Sequence, residues 1–210
     1  ACGMRAIGEL MFADFLGVCF DQLYNQAAKF RYMFGGKAVT PVTIRTIIGA
    51  GFCAAAQHSQ SPYSIFTHVP GLKCIIPSNA YDAKGLLATS IQDDDPCIFF
   101  EHKALYTVKG DVPEEHYTIP LGKANILQEG KDVTIVALGL MVNMAVQAAK
   151  ALAKDGISCT VIDPRTTSPL DTDAIFSSVE KTGRLVVVDE DSCRCGFASD
   201  LVGMVAQEVF

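Results

Sequence analysis

The chain alternates short apolar runs with longer stretches in which apolar residues recur every three or four positions. Short runs rich in β-branched residues are typical of buried strands, whereas the longer period is typical of amphipathic helices. Apolar positions 141, 144, 145, 148, 149 and 152 give a clear helical stripe. The predicted strands are 5–11, 41–48, 72–76, 96–101, 133–139, 158–163 and 184–189. The predicted helices are 14–33, 62–68, 79–91, 141–154, 171–181 and 197–209.

Strands that alternate with helices in this way predict right-handed βαβ units and parallel sheets. The alternation stops over residues 103–130, a stretch with two prolines, three glycines and a charged segment. Such a composition is typical of a linker. The sequence therefore predicts an α/β protein with two three-layer α/β/α domains and mainly parallel sheets. The predicted domains are residues 1–105 and 131–210, joined by a linker at 106–130.

Composition restricts the partners and the compartment. Hydrophobic residues make up 50% of the chain and charged residues 19%, which predicts a well-buried core and favours an oligomer. The net charge of −6, with no basic cluster, argues against a nucleic-acid partner. The longest apolar run, 133–142, is too short to cross a bilayer, and no signal peptide is visible. Eight cysteines without a CxxC pair indicate reduced thiols and a cytoplasmic location.

The segment 49–61 is the strongest candidate for chemistry. Its small residues follow the predicted strand 41–48, and it delivers His58 among Gln57, Ser59 and Gln60. Ligands of open α/β sheets bind at the carboxyl ends of the strands, and histidine titrates near neutral pH. The position therefore suits proton transfer, although a single histidine in a polar loop is also commonly structural.

Several segments in one fixed order carry a family resemblance. They are residues 9–15, 20–29, 31–33, 57–61, 70–73, 81–87 and 99–103. This series resembles the β subunit of the thiamine-diphosphate-dependent 2-oxo acid dehydrogenase E1 family over essentially all 210 residues. Within that family it is most similar to the acetoin-cleaving branch. The resemblance implies a pyrimidine-binding domain of transketolase type, followed by a transketolase C-terminal-like domain.

Site residues follow from the same resemblance. Met11 and Phe15 are expected at the aminopyrimidine ring of the cofactor, with Phe15 stacked on it, because an aromatic face suits a flat heteroaromatic ring. His58 is expected to orient the substrate and to assist proton transfer. The family's cofactor-activating glutamate falls before residue 1, so the resemblance also implies that the chain lacks both ends of the family pattern.

The resemblance implies that thiamine diphosphate is shared with an α subunit in an α2β2 heterotetramer. That α subunit is expected to hold Mg²⁺, because Gly110 and Asp111 are followed here by Val112 rather than by the glycine of a Gly-Asp-Gly motif. A structural potassium ion is also implied. Its expected ligands are oxygens of Val42, Ser90, Ile91, Asp93 and Asp95. Without an ion, the acidic run 93–95 is a solvated helix end.

The implied activity is cleavage of acetoin, a small-molecule substrate. Acetaldehyde is released, and the remaining two-carbon unit passes by oxidative acetylation to a lipoyl group of an E2 acyltransferase. The choice of acetoin depends on the turn after Arg45, where Thr46 and Ile47 replace the Gly-Pro common in pyruvate-specific relatives. A pyruvate or branched-chain 2-oxo acid dehydrogenase β subunit is the alternative. A non-catalytic assembly module is the alternative from another class, and it predicts the same fold.

Overall fold

The computed structural model describes residues 2–209, which form two sheets with helices packed around them. The strands are β1 (Ala6–Leu10), β2 (Val42–Ile48), β3 (Lys73–Ile75), β4 (Cys97–His102), β5 (Asn125–Gln128), β6 (Val133–Ala137), β7 (Cys159–Asp163), β8 (Thr166–Ser168) and β9 (Leu185–Val188). The α-helices are α1 (Ala28–Met33), α2 (Tyr63–Thr67), α3 (Ala80–Gln92), α4 (Leu140–Leu152), α5 (Thr172–Thr182) and α6 (Phe197–Glu208). An α/β fold is thus confirmed.

The first sheet has the strand order β1-β2-β4-β3-β8. Its first four strands run parallel, so their carboxyl ends meet at one edge. The short strand β8 pairs antiparallel with β3, Cys74 lying opposite Ser168. The sequence pattern did not predict β8, because a strand of three residues is too short to show a periodicity.

The second sheet has the order β5-β7-β6-β9, with β6 parallel to both β7 and β9. The strand β5 pairs antiparallel with β7 at the sheet edge. It lies within the stretch predicted as linker. Ile126 and Leu127 of β5 are both exposed, so the strand lacks the alternation of buried and exposed residues by which strands are recognised.

The helix predicted over 14–33 is irregular. Residues Ala13–Cys19 form a 3₁₀-helix, Gln22–Ala27 form a π-helical stretch, and Ala28–Met33 form the α-helix α1. The spacing of buried residues agrees with the first of these helices. Ala13 and Leu16 are three residues apart, which is one turn of a 3₁₀-helix. The apolar pattern predicted a helix correctly, but packing changed its pitch. No helix formed by residues 2–209 has the length and apolar character needed to cross a membrane.

One hydrophobic cluster spans both sheets, in which Ile48 and Phe100 of the first sheet pack with Val136 and Ile162 of the second. Polar contacts also join the two halves. The guanidinium of Arg165 lies 2.6 Å from the buried carboxylate of Asp82, and Ser78 Oγ donates to Asp163 Oδ2 at 2.5 Å. The carboxyl edge of the first sheet is therefore held against the second half of the chain.

Candidate functional site

A loop between β2 and α2 carries His58 at the carboxyl edge of the first sheet. The loop starts at Gly49, whose φ of 143° disfavours any side chain, and its amide donates to the carbonyl of Gln60 at 3.2 Å. His58 ends a single 3₁₀ turn, Ala56–His58. Cys53 and Ala55 adopt left-handed φ values of 56° and 68°, which are strained for residues with a side chain. The predicted position of His58 beyond a strand end is confirmed.

Two phenylalanines surround the His58 ring. The Phe12 and His58 ring centroids are 4.5 Å apart and those of Phe15 and His58 are 5.7 Å apart, both in edge-to-face geometry. His58 itself is half-buried. The side chain of Phe15 is 41% exposed and that of Met11, directly after β1, is 69% exposed. The structure therefore brings Phe15 and His58 together and leaves Met11 as apolar surface beside the strand end.

Lys103, directly after β4, contacts this cluster from the neighbouring strand. Its ammonium donates a hydrogen bond to the carbonyl oxygen of His58 and lies 5.6 Å from the centroid of the Phe12 ring. Phe12 and Lys103 were not among the predicted site residues. The sequence carries no local signal for Lys103, because its place beside the loop depends on β4 lying next to β2, with both strands ending at the same edge.

The second half of the chain reaches this edge through Glu190, which follows β9. Nε2 of the buried His102 lies 2.7 Å from Glu190 Oε2, although without the alignment of a hydrogen bond. Nδ1 of His102 accepts a hydrogen bond from the Ala104 amide at 3.2 Å. His102 is thus a packed residue beneath the loop, where its ring would meet a side chain added at Gly49.

A charged network crosses the same sheet. Arg45 of β2 lies 3.0 Å from Glu9 and 2.8 Å from Glu101, and the Tyr106 hydroxyl donates to Glu101 at 2.8 Å. The hydrogen bond to Glu101 raises the pKa of Arg45, and burial together with Glu101 raises the pKa of Tyr106. A cavity of about 230 Å³ is lined by Glu101, His102 and Tyr106. Because these charges are paired, the network links β1, β2 and β4.

The residues predicted to bind potassium lie together at the opposite, amino end of the sheet. Thr43 beside Val42 donates its hydroxyl to the Ser90 carbonyl at 3.1 Å. The carbonyls of Ile91 and Asp93 accept hydrogen bonds from the Arg5 guanidinium at 3.4 and 2.7 Å. These carbonyls therefore converge on a positive charge.

The carboxylates of this segment already have cationic partners. Lys73 lies 2.6 Å from the Asp93 carboxylate, and Arg31 lies 2.7 Å from that of Asp95. Burial opposes the charge of Lys73, but Asp93 and Asp95 outweigh it and raise the pKa of Lys73. Within the described part of the chain, no three His, Cys, Asp or Glu side chains come together as a metal site. The Asp93 and Asp95 carboxylates are thus engaged in ion pairs.

Comparisons with solved structures and curated proteins agree with this architecture. A split-gene transketolase, described as an inactive beta4 tetramer, superposes with a TM-score of 0.82 at 25% identity, covering 98% of this chain and 64% of that one. The β subunit of acetoin:2,6-dichlorophenolindophenol oxidoreductase from Cupriavidus necator is 63% identical over 210 residues, all of this chain and 62% of the relative. Its counterpart from Bacillus subtilis is 60% identical over 99% of this chain and 61% of the relative.

A more distant relative is the β subunit of 2-oxoisovalerate dehydrogenase from Bacillus subtilis, 44% identical over 98% of this chain and 63% of its own length. The chain thus spans about three fifths of the curated relatives it matches. Two family models also match, the transketolase pyrimidine-binding domain over residues 1–109 and the transketolase C-terminal domain over residues 122–210. On these matches and on the geometry of its first sheet, the chain belongs to the transketolase pyrimidine-binding domain family.

Proposed function

We propose that the chain acts as the β subunit of a thiamine-diphosphate-dependent E1 enzyme that cleaves acetoin. Acetaldehyde is released, and the two-carbon unit passes to a lipoyl group of an E2 acyltransferase. The observation that carries this proposal is the packing of His58 against Phe12 and Phe15, beside the exposed Met11, at the carboxyl edge of β1 and β2. This edge is where α/β sheets place their ligands.

The residues present fit an aminopyrimidine ring. Phe15 and Met11 offer apolar side chains that a flat ring would cover, which accounts for large apolar groups exposed beside a polar loop. When bound, thiamine diphosphate supplies a carbanion for attack on a carbonyl carbon. His58 orients the substrate hydroxyl and carbonyl through its imidazole nitrogens and transfers a proton at one of them. The small residues of its loop leave room for that substrate.

The diphosphate and its Mg²⁺ are assigned to an α subunit in an α2β2 assembly. Apolar side chains exposed around β1 support a covering partner chain: Ile7 is 53% exposed and Val18 is 86% exposed. Ile7 lies in β1 and Val18 in the 3₁₀-helix Ala13–Cys19, on either side of Met11 in the segment that carries the proposed ring site. A site between two chains would thus be closed by the partner.

The choice of acetoin as substrate is supported by the difference between relatives. Identity is 60–63% with the acetoin oxidoreductase subunits, but 44–47% with the pyruvate and 2-oxoisovalerate dehydrogenase subunits. Thr46 and Ile47, expected in a turn after Arg45, lie instead within strand β2, which leads to the loop that carries His58. The higher identity with the acetoin oxidoreductase subunits favours acetoin as the substrate. A direct substrate assay tests this choice.

A potassium ion is proposed at oxygens of Val42, Ser90, Ile91, Asp93 and Asp95. The support is that these residues lie together at the amino end of the sheet, where the Ile91 and Asp93 carbonyls already face a cation, the Arg5 guanidinium, which the ion would displace. Since Asp93 and Asp95 are paired with Lys73 and Arg31, an ion here would take carbonyl oxygens first.

The experiment is reconstitution with a matching α subunit, followed by reduction of an artificial electron acceptor. Acetoin, pyruvate and branched-chain 2-oxo acids are compared as substrates, and we expect reduction with acetoin. Reduction with pyruvate alone would refute the substrate proposal, and an inactive complex would favour an assembly module. Calorimetry on the isolated chain is expected to show negligible binding of thiamine diphosphate. Tight magnesium-dependent binding would contradict the two-chain site.

A further inference from the structure

One side chain contacts both ends of the loop that carries His58. The Lys103 ammonium donates to the His58 carbonyl at the end of the loop. Its stem passes the start of the loop so closely that a Cβ at Gly49 would lie 2.8 Å from Lys103 Cε. Gly49 therefore has two reasons to be glycine, its φ of 143° and the lysine stem that packs on it.

The same ammonium reaches the aromatic pair. It lies 5.6 Å from the centroid of the Phe12 ring, a distance at which a cation is attracted to the ring face. Phe12 in turn meets the His58 imidazole edge-on at 4.5 Å. Lys103 thus contacts the His58 backbone directly and the His58 ring through Phe12.

The loop has a strained backbone, which needs support from its surroundings. Cys53 and Ala55 are held in left-handed conformations, which persist only where the surroundings impose them. Inside the turn, the His58 amide donates to Ala55 O at 3.2 Å, and the Ala54 amide donates to Ser59 Oγ at 2.7 Å. These bonds join near neighbours, so they do not tie the loop to the sheet.

Lys103 is itself anchored to a rigid element. It follows the last residue of β4, His102, which is buried, and it opens the 3₁₀ turn Lys103–Leu105. The Ala104 amide is fixed by His102 Nδ1 at 3.2 Å. A side chain that starts at the end of a central strand can hold a neighbouring loop in a constant position.

We propose that Lys103 is a positioning residue that holds the loop from Gly49 to His58 so that the imidazole faces Phe12 and Phe15. The consequence for catalysis depends on the proposed function of His58, whereas the restraint on the loop does not. Removal of the ammonium is expected to free the loop from the sheet while β4 and the core stay intact.

The test compares Lys103→Met, Lys103→Gln and Lys103→Arg in the reconstituted α/β complex, with Lys131→Met at an exposed position as the matched control. Hydrogen–deuterium exchange is measured on the peptide that covers residues 49–60. K103M is expected to exchange about tenfold faster there, K103Q to lie between K103M and wild type, and K103R and K131M to match wild type. With acetoin, kcat of K103M is expected to fall about 10- to 100-fold while KM changes little, and K103R is expected to restore kcat.

Wild-type exchange over residues 49–60 in K103M would overturn the proposal. It would also be overturned by faster exchange spread evenly over the chain, because that pattern reports general destabilisation. If the wild-type complex shows no turnover of acetoin but K103M still loosens this loop alone, the positioning role stands and the proposed function fails. The two hypotheses are thus separated by one set of variants.

Discussion

Asp163, the last residue of β7, is completely buried and provides a test of the contact between the two halves. Its Oδ2 accepts a hydrogen bond from Ser78, which follows β3 of the other sheet, and its Oδ1 accepts one from the Arg165 amide at 2.8 Å. Burial raises the pKa of Asp163 to about 7, because these hydrogen bonds and the positive charge of Arg165 only partly offset the loss of solvent. Asp82 nearby adds a negative charge that raises it further.

Because the pKa of Asp163 is raised in the folded state, the free energy of unfolding falls as the pH rises. The unfolded chain has an aspartate pKa of about 3.9, so between about pH 4 and about pH 7 the native state binds a proton that the unfolded state has lost. The contribution to stability is full below about pH 4 and is lost as the pH rises through about 7. At about 1.4 kcal/mol per pH unit, the free energy of unfolding falls by about 4 kcal/mol between about pH 4 and about pH 7.

The perturbation is Asp163→Asn, which stays neutral and offers a carbonyl to the Arg165 amide and an amino group to Ser78. Urea unfolding at about pH 5 and about pH 8 is expected to show wild type losing about 3 kcal/mol more than D163N over this interval. Asp155→Asn, at an exposed position, serves as the control and should follow wild type. Equal pH dependence in wild type and D163N would refute the argument, because the carboxyl would then titrate alike in both states.

Three further outcomes are expected. His58→Ala should lower turnover of the reconstituted enzyme about 10²–10⁴-fold with assembly unchanged on gel filtration, and wild-type turnover would show that His58 takes no part. Phe99→Ala, at a fully buried position of β4, should lower the free energy of unfolding by about 3–5 kcal/mol in urea titration, and a loss below about 1 kcal/mol would contradict the core packing. Potassium should raise the melting temperature more than sodium or lithium if the Ile91 and Asp93 carbonyls bind it. Identical shifts in melting temperature for the three cations would mean that salt only screens the charges of the acidic run and that no ion is bound.

Sequence patterns predicted the regular elements best where local signals and packing agree. The helix predicted over 79–91 is α3, and Asn79 caps it by accepting a hydrogen bond from the Asp82 amide at 2.8 Å. The helix predicted over 171–181 is α5, capped by Asp171 and ended by Gly183 with a left-handed φ of 64°. In these cases the residues that begin and end each helix act through their own neighbours, so the sequence alone is sufficient.

Features that depend on distant contacts were not predictable in the same way. The pitch changes between residues 13 and 27 follow from how Ala13, Leu16 and Leu23 pack on the sheet, which no local propensity encodes. The position of His58 was predictable because a loop after a parallel strand lies at the carboxyl edge. The contact between His58 and Lys103 was not predictable. This contact requires β4 to lie beside β2 in the sheet, although β3 comes between these two strands in the sequence.

The strand β8 is synthesised long after its partner β3, which has a consequence for co-translational folding. A chain synthesised from its amino end completes β4 at residue 102, but β3 keeps an unpaired edge until residues 166–168 emerge. At about 5–20 residues per second, that interval lasts several seconds. An open strand edge is a template for pairing with other chains, so the nascent first sheet is exposed to aggregation during this time. Expression of the first half alone would make that transient hazard permanent, and the ribosome-bound chain is the stage at which a chaperone would be needed.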